Sequence, residues 1–376
     1  LNIAEALDGA VTALQDLVRY TANADVSLRY DIDEFLEKLG DVEDELTRPS
    51  GEWVNPLNAK QGDRLEGGFK VLKRLGGGSA SIVHLVERGG SEFVLKLSRK
   101  PEDNPRIESE YNILRRLRWP QIVAAYELLP FGDLLGFTMD SAGDATLAHQ
   151  LRQEGPLDLT LLQQFGEDLL RTIEYLDKEG IPHRDIKPEN VGLRMAKDKK
   201  RKELCLFDFS LSSTPPENIA VGTFPYLDSF LATRKIKRWD VKSECFSAAM
   251  TLHEMATGAL PKWGDGQSAR DLIPDEVTIQ AELFPAELRD RFRTFFQKAL
   301  RRDHAERFDN PTEMIEAWRE IFATIDRAYP EAKAETPYVL ADATAVTEGT
   351  QLIILGLSTR LDRKSTRLNS SHRIRY

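Results

Sequence analysis

Along residues 1–47 apolar side chains recur every three or four positions: Leu7, Val11, Leu14 and Val18, then Phe35, Leu36 and Leu39. That spacing gathers them on one helical face and predicts a helical extension. The face either packs on a neighbouring element or meets a partner; the pattern allows both. Residues 48–64 carry two prolines among turn formers and read as a linker. From Leu65 the period changes. Residues 69–75 alternate ahead of three glycines, and 82–86 and 93–97 are short apolar runs either side of Arg88-Gly89-Gly90, a pattern of strands and a turn. Helical spacing then takes over. Leu162, Phe165, Leu169, Ile173 and Leu176 form one long stripe, which Gly180 ends. A strand-rich unit followed by a helix-rich one predicts an α+β fold in two lobes.

Beyond these units the pattern weakens. Residues 328–360 read as a linker running into the start of a further module. Residues 361–376 fit nothing before them and read as a non-native tail. The chain opens on Leu rather than Met, as expected for a piece of a longer protein.

Charge and composition narrow the function classes. The 376 residues are 41% hydrophobic and 30% charged, with a net charge of −10, as in a soluble globular protein. An acidic chain is a poor general partner for nucleic acid, since phosphate neutralisation needs clustered cations. Its two cysteines, Cys205 and Cys245, form no disulfide framework, and no apolar run is long enough to cross a bilayer. No signal peptide is visible, so the expected compartment is the cytoplasm, away from membranes.

The candidate chemistry starts at Gly76-Gly77-Gly78-Ser79. Glycines at the first and third positions let a hairpin lie close over phosphates, although alone they also suit an ordinary turn. Lys96 ends an apolar strand and needs a partner if buried. Glu110, on the next expected helix, can supply it, although such a pair is as often a surface salt bridge. The segment His183-Arg184-Asp185-Ile186-Lys187-Pro188-Glu189-Asn190 is more specific. Asp185 and Asn190 stand five apart in a loop after the long helix. A carboxylate there can orient and deprotonate a hydroxyl, and an amide oxygen is a hard donor suited to Mg²⁺. Lys187 can neutralise charge on a transferred phosphoryl group. Eighteen residues after Asn190, Asp208 closes an apolar strand as a second metal contact. Bland readings fit the remainder. The basic run at residues 194–202 reads as a solvated turn, His84 and His253 lack zinc-ligand spacing, and Cys205 reads as core.

Together these motifs resemble the protein kinase superfamily over residues 65–327. The resemblance implies a bilobal fold, with a small β-rich N-lobe at 65–139 and a larger helical C-lobe at 144–327. It implies a glycine-rich loop at Leu75, Gly76, Gly78 and Val83, and a Lys96–Glu110 pair at the phosphates. Met139 would be the gatekeeper, with Asp140 and Ala142 in the adenine hinge. Asp185, Lys187 and Asn190 would be catalytic, and Asn190 and Asp208 would ligate the metal. Lys187 with Gly222-Thr223 is similar to the serine/threonine branch. The activity implied is transfer of the γ-phosphoryl group of ATP, with Mg²⁺, to Ser or Thr of a protein substrate. The alternatives are an ATP-binding pseudokinase scaffold and a small-molecule kinase of related fold. The wording HRDIKPENVGL, LFDFSLS and LHEMATGALPKWGDG is narrower. It resembles large bacterial kinases of phage-defence systems of the BREX, or phage-growth-limitation, kind, where the kinase is one module among several.

Four positions depart from the family pattern: Ser81 at the third loop glycine, Ser210 after Asp208-Phe209, Phe230 where a glutamate is expected, and Glu244 where an aspartate opens the central helix. Phe230 leaves Arg307 without its expected partner, although Asp228 is close to Phe230 in sequence. Arg184 is expected to pair with a phosphate on Ser212, Ser213 or Thr214.

Overall fold

The structure is a computed structural model that describes residues 53–196, 201–266 and 269–328, with Thr21, Ile32, Phe35, Leu36, Lys38 and Leu39. Apart from those six helical positions, the extension expected over 1–47 lies outside the described residues. So do residues 329–376 and part of the basic run, residues 197–200. The chain divides into two compact units, Leu1–Arg327 and Ala328–Tyr376, and the two lobes belong to the first.

The small lobe is an antiparallel sheet of β1 (Arg64–Leu65), β2 (Phe69–Gly77), β3 (Ser81–Arg88), β4 (Ser91–Ser98), β5 (Ala125–Phe131) and β6 (Leu134–Met139), in the order β1-β2-β3-β4-β6-β5. Helix α1 (Asn104–Arg116) packs against it. Gly89 and Gly90, at φ +62° and +80°, make the two-residue turn that sets Arg88 opposite Ser91. Along β3, Ile82, His84 and Val86 point inward, whereas residues 94–98 of β4 are buried without alternation, as suits a central strand. The stretch read as a linker joins this lobe from Trp53 onward. Val54 N–H donates to Arg64 O at 3.0 Å, and His84 Nε2 lies 2.9 Å from Pro56 O.

The large lobe holds α2 (Leu147–Glu154), α3 (Leu159–Glu179), α4 (Val241–Thr257), α5 (Arg289–Ala299) and α6 (Pro311–Ala328). It also carries a small sheet of β7 (Ala145–Thr146), β8 (Val191–Met195) and β9 (Lys202–Leu206). Asp158 caps α3 by accepting from Thr160 N and Leu161 N, and Gly180 ends it in the left-handed conformation, φ +67°. α4 is buried on nearly every face, which marks it as the axis of the lobe. On α3, Gly166 lies flat under Trp318 of α6; a Cβ there would come within 2.3 Å of the indole. Trp318 Nε1 donates to Gln163 O at 3.2 Å, and its ring packs among Phe292, Phe295 and Phe322. The lobes are tied where Leu206 N donates to Gln121 O at 2.8 Å and Val123 N to Leu206 O at 3.2 Å.

Candidate active site

The β2–β3 hairpin carries the three glycines. Gly76 sits at φ +152°, which side-chain-bearing residues rarely adopt. Gly78 N donates to Ser81 O at 2.9 Å, so the serine at the third glycine position closes the loop through its main chain. Arg99 holds the same loop from beneath, donating Nε to Gly78 O at 2.7 Å and to Ser81 O at 3.3 Å. Sequence reasoning missed Arg99, because nothing marks one cation after a strand as a loop anchor. Leu75 is exposed at the end of β2, and Val83 lies opposite Lys96 across β3 and β4.

Lys96 is buried on β4 and makes two ion pairs. Its Nζ lies 2.8 Å from Glu110 Oε2 on α1 and 2.8 Å from Asp208 Oδ1 after β9. Burial alone would lower the lysine pKa, but the two carboxylates outweigh it and raise it. Burial likewise pushes Asp208 up, yet the Lys96 charge and hydrogen bond hold it well below the usual carboxylate range. Glu110 is fully buried, and desolvation raises its pKa despite Lys96. It also accepts from Phe209 N at 3.1 Å, which fastens α1 to the residue after Asp208.

A second cluster forms in the loop after α3. Asn190 Nδ2 donates to Asp185 Oδ2 at 2.9 Å and to Asp185 O at 2.8 Å. Lys187 Nζ lies 2.9 Å from Asp185 Oδ2 and donates to Thr223 Oγ1 at 2.7 Å. Thr223 in turn donates to Asp185 Oδ1 at 2.7 Å. Both oxygens of Asp185 are therefore oriented, and the threonine first noticed only as a branch marker holds one of them. The clusters are joined through Phe207, whose N–H donates to Asn190 O at 3.1 Å and whose carbonyl lies 3.0 Å from His183 Nε2. Asp208 at φ +65° and Arg184 at φ +72° are the two side-chain-bearing residues with left-handed backbone among the described residues.

Met139 ends β6 buried, opposite Val94. Asp140 N then donates to Ala124 O at 2.9 Å, and Tyr126 OH donates to the Asp140 carboxylate. The connector lies so close to β8 that a Cβ on Gly192 would meet Ala142 O at 2.3 Å.

Three departures acquire partners. Ser210 Oγ accepts from Arg106 Nη2 of α1 at 3.2 Å. Glu244, buried in the first turn of α4, accepts from Arg184 N at 2.9 Å, His183 N at 3.3 Å and Trp239 Nε1 at 2.6 Å. Burial nevertheless raises its pKa to about 7. Arg307 is not left unpaired: Asp228 takes it at 2.7 Å. Phe230 is buried, and Arg302 stacks on its ring at 4.8 Å. The two terminal nitrogens of Arg184 have backbone partners without a phosphate. Nη1 donates to Thr214 O and Pro215 O at 2.7 and 2.9 Å, and Nη2 to Asn218 O at 2.5 Å.

The donor set suits a divalent cation. Asn190 uses its amide nitrogen on Asp185, which leaves the carbonyl oxygen as the hard donor, and Asp208 keeps one carboxylate oxygen clear of Lys96. Among the described residues no three His, Cys, Asp or Glu side chains form a metal cage. Mg²⁺ sites that share the ion with substrate phosphates have this sparse form. Beside them a cavity of about 140 Å³ is lined by Gly78, Ser79, Lys96, Glu110, Asp208 and Ser210.

A family model for the protein kinase domain matches residues 69–318. The chain belongs to the protein kinase domain family. It has the bilobal α+β fold of that family. Among curated proteins it is 35% identical over 360 residues to "Probable kinase PglW" of Streptomyces coelicolor, covering 84% of this chain and 23% of that protein. It is 28% identical over 275 residues to "MAP kinase kinase MKK1/SSP32" of Saccharomyces cerevisiae, covering 67% of this chain and 52% of that protein. It is 27% identical over 237 residues to "Serine/threonine-protein kinase ATG1a" of Arabidopsis thaliana, covering 60% and 37% respectively. The chain thus spans between about a quarter and a half of the length of these relatives. The likeness to PglW accords with the resemblance to large bacterial kinases read from the sequence.

Proposed function

We propose that the kinase domain occupies residues 65–327 and transfers the γ-phosphoryl group of ATP to Ser or Thr hydroxyls of a protein substrate. The observation that carries the assignment of roles is the four-way hydrogen bonding of Asp185, Asn190, Lys187 and Thr223, which orients one carboxylate for a hydroxyl. Asp185 accepts the hydroxyl proton as the new bond forms. Lys187 neutralises charge on the moving phosphoryl group, and Thr223 keeps Asp185 and Lys187 in register. Lys96, steadied by Glu110, binds the α- and β-phosphates under Gly76 and Gly78. Leu75, Val83, Met139, Asp140 and Ala142 enclose the base. Asn190 and Asp208 would hold Mg²⁺, which when bound draws charge from the β- and γ-phosphates.

The likeness to PglW supports a wider reading: this domain is the kinase module of a bacterial phage-defence protein, acting in the cytoplasm beside further modules, with residues 328–360 leading into one of them. No helix among the described residues is long and apolar enough to cross a membrane. The test is phosphate incorporation from labelled ATP into a generic Ser/Thr protein substrate. Asp185→Asn must lower it by at least about a thousandfold while ATP binding persists. Equal incorporation by both chains would remove Asp185 from its role, and none by the wild type with ATP bound would leave the pseudokinase scaffold instead.

A further inference from the structure

A cavity of about 930 Å³ opens on the large lobe between the end of α3, residues 212–216 and the loop 234–241. It shares no lining residue with the cavity at Lys96. Ile173, Leu176, Ile181 and Trp239 supply apolar wall. Arg184 and Arg234 line it from within, 1% and 7% exposed, and each keeps its Nε without a hydrogen-bond partner. Their terminal nitrogens are committed, those of Arg184 to three carbonyls and those of Arg234 to Asp228 and Asp240.

The rim is basic. Arg234, Lys235, Lys237 and Arg238 put four cations into five positions of a chain whose net charge is −10. Lys235, Lys237 and Arg238 are exposed and make no ion pair among the described residues. Between them Ile236 is 74% exposed. Three acids also line the cavity: Asp177, Asp240 and Glu244. Asp240 is engaged with Arg234 and the α4 cap, and Glu244 accepts three N–H donors. Asp177 remains, against Lys235 and Arg238, which line the cavity, and Lys237, which lies between them in sequence.

We propose that this cavity and its rim dock an acidic, leucine-bearing segment of the protein that the kinase phosphorylates. The inference rests on the kinase activity proposed above. Charge complementarity selects the occupant: the rim cations steer carboxylates, and Ile236 and the apolar wall take the aliphatic side chain. Docking outside the phosphate cleft raises the local concentration of the acceptor hydroxyl. It therefore lowers KM and leaves kcat alone.

The experiment uses the whole chain and a serine peptide with or without a flexibly linked tail of alternating glutamate and leucine. The tail is expected to lower KM by about tenfold or more at unchanged kcat. Combined Lys235→Glu and Arg238→Glu should abolish that advantage, with the tail-less peptide phosphorylated at the wild-type rate. The labelled tail alone, followed by fluorescence anisotropy on the Asp185→Asn chain, should bind, weaken with salt, and weaken about tenfold or more when the two reversals are added. Equal tail binding with and without the reversals overturns the proposal, as does no binding at all. Tail binding accompanied by no phosphorylation of either peptide by the wild type supports the docking site and condemns the kinase reading instead.

Discussion

Asp228 accepts from both terminal nitrogens of Arg307, at 2.7 and 3.1 Å, and Arg234 reaches the same carboxylate at 2.6 Å. An aspartate two positions before the expected glutamate thus ties the substrate-side segment to the end of the large lobe, and Phe230 fills the vacated place. Asp228 is 1% exposed, so its loss strands the Arg307 guanidinium in the interior and leaves Arg234 with Asp240 alone.

Asp228→Ala is therefore expected to destabilise the domain by about 3–5 kcal/mol, the usual cost of breaking a buried ion pair from one side. Thermal unfolding checks it. A melting temperature within about a degree of wild type would mean that neither arginine depends on this carboxylate.

Arg99→Ala removes both side-chain hydrogen bonds under the glycine-rich loop. The expected result is a three- to tenfold rise in KM for ATP, about the worth of one net hydrogen bond, with kcat nearly unchanged. Steady-state kinetics at varied ATP decide it; an unaltered KM makes the arginine a bystander.

Ser210 stands where the family has glycine, and its hydroxyl connects Arg106 to the residue pair after β9. Ser210→Gly removes that bond and frees the backbone. Binding of an inhibitor that requires Phe209 to swing outward should strengthen about three- to tenfold in Ser210→Gly and less in Ser210→Ala, which loses only the bond. Identical affinities in all three chains would show that the serine restrains nothing.

Glu244 gives a pH signature. Burial holds its carboxyl near 7 in the folded chain, against 4.5 for an ordinary glutamate. Below about 4.5 both folded and unfolded chains carry the proton, and the group's stabilising contribution is whole. Between that pH and 7 the unfolded chain has lost the proton while the folded chain keeps it, so the contribution shrinks as pH rises and is gone above 7. Glu244→Gln cannot ionise. Melting temperatures of the two chains, compared from pH 5 to 8, should show wild type losing ground to the variant up to about pH 7. Parallel curves would contradict the raised carboxyl.

Much of this was legible in the linear order. Alternation and paired glycines marked β2, β3 and β4, and the apolar stripe with Gly180 marked α3 nearly to its last residue. The pairing of Lys96 with Glu110 was legible only through the family resemblance, since the two residues by themselves fit a surface salt bridge as often. What stayed hidden depends on where distant segments land. Asp228 and Arg307 are 79 positions apart, and no periodicity links them. Arg99, the three donors to Glu244 and the bond from Thr223 to Asp185 are likewise side-chain geometries set only when the lobes fold. The small edge turn at Pro56 was read as linker because its composition is that of a loop, and only His84 reveals what it caps.

The fit of Trp318 over Gly166 bears on how the gene is cut. Helix α6 plugs a slot that no side chain on α3 can fill, so a stop codon placed ahead of residue 318 should leave an aromatic-lined trench and an insoluble product. A minimal kinase fragment for expression must run at least through Phe322.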